Sequence, residues 1–184
     1  KDWARKLYQK AEDLAENSSD YNSIADPVAD EDYLGDKKYA KKLYQKAEDL
    51  AEDLSDYNSI ADSVADENYL GDKDWAVELY KKSENLAEDI YEHSSLAESI
   101  YLALEDKDWT RDLFKKAEDV GSDDMFGFMA LADAIISRLE DKDWAVEFNI
   151  AQTKAKYNAD SGIALDAYTI LFKKDYVPSS SDTL

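Results

Sequence analysis

The chain has 184 residues, of which 44% are hydrophobic, enough for a packed core and too many for global disorder. Its 43 acids outnumber its 22 bases for a formal net charge of −21, and a field of that sign disfavours nucleic acid and anionic membrane surfaces while attracting basic proteins and peptides. The absence of cysteine excludes disulfides and thiolate chemistry, and no apolar run approaches the ~20 residues of a membrane-spanning helix.

In chain order, the sequence repeats itself. Lys1-Asp2-Trp3 opens the chain, Asp36-Lys37-Lys38-Tyr39 varies it, and Asp-Lys-Asp-Trp returns at Asp72–Trp75, Asp106–Trp109 and Asp141–Trp144. The leading aromatics Trp3, Tyr39, Trp75, Trp109 and Trp144 are spaced by 36, 36, 34 and 35 residues, and a worn copy follows at Lys174-Asp175-Tyr176. Such a period is the mark of a repeat architecture.

Each period carries two helical faces. Trp3, Ala4, Leu7, Tyr8, Ala11 and Leu14 step by three and four, as do Tyr39, Ala40, Leu43, Tyr44, Ala47 and Leu50. The other face is Tyr57, Ile60, Ala61 and Val64, returning as His93, Leu96, Ala97, Ile100 and as Phe128, Leu131, Ala132, Ile135. Between them Leu70-Gly71-Asp72 supplies Gly as a helix C-terminal residue and Asp as the next N-cap. With strand-type alternation absent, the pattern predicts an all-α fold. It is an α-solenoid of stacked antiparallel helix pairs, with about ten helices of roughly 13–17 residues. Small residues such as Ala47 and Ala61 let neighbouring helices approach, and one hairpin alone leaves its apolar faces uncovered. Pro27, where the next unit has Ser63, predicts a kink or a late helix start.

These residues resemble the tetratricopeptide superfamily, and its Sel1-like branch in particular. The spacing Ala40-x3-Tyr44-x2-Ala47 is similar to the second helix of that motif, and Tyr57-x2-Ile60-Ala61-x2-Val64 to the first. The early units carry two extra residues between the helices, and the Gly-x-Gly turn typical of Sel1-like repeats is absent. In the order the resemblance implies, the Trp-led helix is the second of its unit and its partner the first. The array is expected over 1–177 with a flexible tail at 178–184. It begins on a second-type helix without its first-type partner, as a piece of a longer array would, or one covered by another surface.

Catalytic signals are weak. His93 is the only histidine and stands where other units have Tyr21, Tyr57 and Phe128, so a packed side chain is expected and no ordinary zinc site or triad can form. Asp66 to Asp74 begins like a calcium loop but holds Leu70 and Val77 where ligands belong. No cofactor or metal site is expected, and no enzyme.

Charge placement carries the functional reading. The first-type segments 17–35, 54–71 and 89–105 contain no Lys or Arg. Asp26, Asp62, Glu98 and Asp133 follow the small packing residue in successive units, with Asp30 and Asp66 further along and Asn22 and Asn58 beside them. The resemblance implies that first-type helices line a concave groove. These eight residues are then the expected lining for a basic protein or peptide segment, in a non-catalytic interaction scaffold. Acids that merely keep a face wet, and a structural spacer or surface-fibre segment with end-to-end self-association, are the competing expectations. Glu12, Glu48, Glu84 and Glu118, each nine residues after a leading aromatic, form a comparison set of equal charge outside the groove.

Overall fold

The computed structural model describes residues 2–121 and 125–145. Among these residues the chain is helical without strands. The helices are α1 (Asp2–Glu12), α2 (Ser18–Ala29), α3 (Lys37–Asp49), α4 (Leu54–Ala65), α5 (Lys73–Glu84), α6 (Ile90–Leu104), α7 (Lys107–Val120) and α8 (Met125–Ala134), and a π-helical turn follows at Ile135–Leu139. The all-α reading therefore holds. The chain forms two compact units, Lys1–Asp123 with α1 to α7 and Asp124–Leu184 with α8 and the π-helical turn. The rest of the expected array up to 177, with the worn copy at Lys174-Asp175-Tyr176, and the tail 178–184 lie outside the described residues.

The repeated phrases begin helices. Asp36, Asp72 and Asp106 are N-caps whose carboxylates accept from the backbone N–H of Tyr39, Trp75 and Trp109 at 3.0, 3.3 and 3.0 Å. The leading aromatic is therefore fixed at the third helical position. Asn17, Asp53 and Asp89 cap α2, α4 and α6 in the same way, and Asp20, Asp56 and Glu92 reach back to the N–H of Glu16, Glu52 and Glu88 at 2.9, 3.0 and 2.7 Å. Reciprocal capping satisfies donors that a helix start leaves open. It also engages three of the acids on the first-type segments.

The turns depart from expectation. Gly71 is not the helix C-terminal residue: α4 ends at Ala65, and Gly71 closes a short turn beyond it, its N–H bonded to Asp66 O at 2.9 Å. Asp72 N–H then returns to Val64 O at 2.9 Å. Gly71 stands at φ +68°, and Gly35 repeats the conformation at +69°. In the next unit α6 runs on to Leu104 and a single left-handed residue, Glu105 at φ 57°, replaces the turn. That replacement removes two residues and accounts for the shorter period of 34. The late start expected from Pro27 is also corrected. α2 begins at Ser18, level with Leu54 in α4, and passes through Pro27 in its last turn, where a missing N–H costs one bond.

Within the first unit, α2–α3, α4–α5 and α6–α7 are the intimate hairpins. Ala40, Leu43, Tyr44 and Ala47 of α3 are fully buried, as are Ala76, Leu79, Tyr80 and Ser83 of α5. α2, α4 and α6 also pack side by side in one row, whereas the Trp-led helices have at most glancing backbone contact with one another. Helix α1 differs from its counterparts. It buries no residue, and Trp3, Leu7 and Leu14 are 75%, 44% and 79% exposed.

Two stability outcomes follow. Ala47→Leu or Ala61→Leu forces volume into a fully closed crossing and is expected to cost about 1–3 kcal/mol in denaturant titration, against under about 0.5 kcal/mol for Asp49→Ala on the exposed face. Glu105→Gly removes the left-handed strain and is expected to raise stability by about 1 kcal/mol, measured the same way; a loss would show that the Glu105 side chain contributes more than its backbone costs.

Candidate functional site: an acidic face and the ties beneath it

Two polar systems run along the first unit. One joins successive Trp-led helices. Glu12 on α1 accepts from Tyr39 Oη at 2.6 Å and from Lys46 Nζ at 2.6 Å, both on α3. Glu48 accepts from Trp75 Nε1 at 2.9 Å and Lys82 Nζ at 2.6 Å, and Glu84 from Trp109 Nε1 at 3.1 Å and Lys116 Nζ at 2.6 Å. Lys46 and Lys82 also lie 5.3 and 5.5 Å over the rings of Tyr21 and Tyr57 on the intervening helices. Each glutamate thus binds one aromatic donor and one ammonium of the next unit. A second tie runs alongside, from Arg5 to Asp36 at 2.5 Å and from Lys41 to Asp72 at 2.8 Å, so N-caps are held from the preceding unit.

Glu12, Glu48 and Glu84 are therefore no neutral comparison set, as the sequence reading made them. They are the acceptors of the inter-repeat ties. The signal was present in the fixed spacing of Lys at seven and Glu at nine residues after the first four leading aromatics. Burial works against the Glu12 carboxylate, but hydrogen bonds from Lys46 and Tyr39 hold it below its ordinary range.

The other system is the expected groove column. Asp26 accepts from Tyr44 Oη at 2.7 Å, and Asp62 from Tyr80 Oη at 2.6 Å and Ser99 Oγ at 3.4 Å. Asn22 and Asn58 donate to Ser63 Oγ and Ser99 Oγ at 3.4 and 3.0 Å, and so serve as inter-repeat links, not as the outward hydrogen-bonders the sequence suggested. Their Oδ1 atoms are buried without a partner. Burial pushes the Asp26 and Asp62 carboxyls up despite those hydroxyl donors, and the Asp66 carboxylate raises Asp26 further. Asp62 as a whole is exposed; it is the crowding of its carboxyl group between Tyr80 and Ser99 that matters. Burial and the facing aspartate likewise raise the Tyr44 and Tyr80 phenols.

Of the eight predicted residues, the first unit brings most onto the α2–α4–α6 side. Asp26, Asp30 and Asp66 share the field around Tyr69, whose phenol is raised by burial and by those three carboxylates. Asp62 and Asp66 line an open cleft of about 390 Å³ between α4 and α6 with Glu67, Lys73, Ser99, Leu102 and the small side chains of Ala65 and Ala103. Asp30 and Asp66 are C-caps whose carboxylates also accept from the N–H of Asp32 and Asn68 at 2.8 Å. Glu98 lies half-exposed on α6. Asp133 is exposed on α8, in the second unit, and the row is described for the first unit alone. Leu102 was not singled out in sequence, because the equivalent positions in the preceding units are Asp30 and Asp66.

His93 is packed, 6% exposed, with Nδ1 2.9 Å from Asp89 O, as its place on the helical face implied. Among the described residues no helix is long and apolar enough to cross a membrane. Set against family models, curated proteins and solved structures, the chain finds no match.

The two acid systems titrate in opposite senses. A depressed carboxyl contributes stability above its unfolded pKa that is lost as pH falls through the folded value; a raised one contributes stability at low pH that is lost as pH rises. Between roughly pH 3 and 7, wild type is therefore expected to gain stability on Glu12→Gln as pH rises and to lose it relative to Asp62→Asn, both followed by denaturant titration. Parallel trends would contradict the two environments.

Proposed function

We propose that the chain is a non-catalytic interaction scaffold of the tetratricopeptide-like kind, whose acidic α2–α4–α6 face receives a basic protein or peptide segment. The observation that carries this reading is the cleft between α4 and α6, where Asp62, Asp66 and Glu67 surround an apolar floor of Ala65, Ala103 and the 65% exposed Leu102. A lysine or arginine suits such a place, laying its methylene stem on the floor and its cation among the carboxylates. Lys73 at the rim narrows the cleft's preference to a cation that reaches the α4–α6 side. Around the cleft, α2, α4 and α6 carry no Lys or Arg, so acids outnumber the two nearby cations, Lys73 and Lys37, whose Nζ donates to Glu67 O at 3.3 Å. Charges of one sign on a concavity steer an oppositely charged ligand and fix its register more than they add raw affinity.

The tyrosine ties refine the division of labour. Asp26 and Asp62 are already hydrogen-bonded within the fold and contribute field, whereas Asp66 and Glu67 are exposed enough to meet a ligand.

The test is titration of a Lys/Arg-rich peptide at low and high salt. One variant combines Asp62→Asn, Asp66→Asn, Glu67→Gln and Glu98→Gln. Its control combines Asp13→Asn, Asp49→Asn, Glu52→Gln and Asp119→Asn, which remove the same charge from exposed positions outside the cleft. The cleft variant is expected to bind on the order of tenfold more weakly than the control at low salt, with the difference shrinking at high salt. Equal losses would reduce the attraction to net charge and remove the groove.

A further inference from the structure

The seams between α2 and α4 and between α4 and α6 are built from equivalent positions but end differently. Asp26, Ala29, Asp30 and Ser63 at the first correspond to Asp62, Ala65, Asp66 and Ser99 at the second. Two groups of the chain itself lie on the first seam. Lys37, which opens α3, donates from Nζ to Glu67 O at 3.3 Å. Tyr69 is half-buried in the turn after α4, and burial, followed by the carboxylates of Asp26, Asp66 and Asp30, raises its phenol. At the second seam neither cover is repeated. α6 runs on to Leu104 and Glu105 replaces the turn, so Glu105 stands at the position of Tyr69, and Ala103, inside the helix, at that of Glu67. Lys73, the counterpart of Lys37, lines the cleft and is bonded to nothing among the described residues. The cleft of about 390 Å³ opens here.

We infer that the missing turn after α6 is what makes the cleft, and that a basic segment is read at the α4–α6 seam alone, because Lys37 and Tyr69 close the α2–α4 seam from within the chain. The assignment rests on the ligand-binding reading of the acidic face and narrows its partner. An ammonium already held among carboxylates cancels part of the potential that a second cation would feel, so the first seam attracts less than its acids suggest. The ligand therefore needs one basic residue, not a run of them spaced by the repeat. It also gains from an apolar neighbour packed on the exposed Leu102, where the first seam has Asp66. The two residues lost between α6 and α7 thus give an otherwise regular row of seams a single register.

Two variants of the full chain change the seams in opposite directions. The closing variant replaces Leu102–Glu105 by the sequence of Asp66–Gly71, which restores a period of 36 residues. It removes one acid and adds two, so net charge alone would strengthen binding. The opening variant combines Lys37→Met with Tyr69→Ala. The probe is a capped tetrapeptide with one lysine beside one leucine, titrated at low salt while backbone amide shifts are followed by NMR. In wild type, saturating shifts are expected at Ser99 and Ala103 and none at Ala29 and Asp30. The closing variant is expected to bind on the order of tenfold more weakly, read at Ser99, despite its added charge. The opening variant is expected to gain shifts at Ala29 and Asp30. Undiminished binding in the closing variant, or wild-type shifts at both seams, would overturn the single opening and leave an acidic face that still takes basic ligands. An opening variant without new shifts would overturn the closure by Lys37 and Tyr69. No shift at either seam in any of the three chains would remove the ligand site itself, and the register with it. Circular dichroism checks the helical fold of each variant; should the closing variant fail to fold, the wild-type pattern and the opening variant decide.

Discussion

Everything in the first unit depends on a carboxylate shared between two donors of different kinds. A glutamate near the end of one Trp-led helix takes an aromatic N–H or O–H from the start of the next such helix and an ammonium from its last turns. Two donors placed seven residues apart on one helix fix both its rotation and its height against the neighbour, which an apolar contact alone leaves free to slide. Charge-assisted bonds of this kind are shorter and stronger than neutral ones. Lys46 and Lys82 also face the rings of Tyr21 and Tyr57, and this cation–π contact adds to the tie. The Trp-led helices can therefore stand apart while α2, α4 and α6 close up on alanine.

The same arrangement explains how a chain of charge −21 stays compact. The bases are confined almost wholly to the Trp-led helices, where each tie neutralises an acid. On the other side the acids crowd without bases, and the fold answers with hydroxyls: Tyr44 and Tyr80 from the hairpin partner, Ser63 and Ser99 from the next unit. In the third unit the tyrosine position is Phe114, and the acid opposite is the longer Glu98, not an aspartate.

Much of this was legible in sequence because the repeat samples one environment several times. The Asp-Lys-Asp-Trp phrase located the helix starts, and the alanine spacing located the crossings. Other features needed coordinates. Glu12, Glu48 and Glu84 read as surface acids because their donors sit some 25 to 34 residues away, a separation at which no helical periodicity points. Asp26 and Asp62 recur at equivalent positions in sequence, but the tyrosines that tie them lie on the other helical face of the unit, counted as core. Gly71 was placed at a helix end because sequence alone does not separate a left-handed cap from the close of a short turn, and Glu105 shows that the cap can do without glycine.

The reach of the ties along the chain has a mechanical consequence. The longest separation among the described side-chain bonds is 41 residues, between Asn22 and Ser63 and between Asn58 and Ser99, little more than one period. Among the described residues no element is held by a distant part of the chain, so closing each contact costs little loop entropy and assembly can proceed from any unit outward. A load applied along the stack meets the same interface again and again, each able to give way without dismantling the next. Extension under tension then proceeds as a series of small, similar events, and a unit pulled loose has its docking partner still beside it when the load is released.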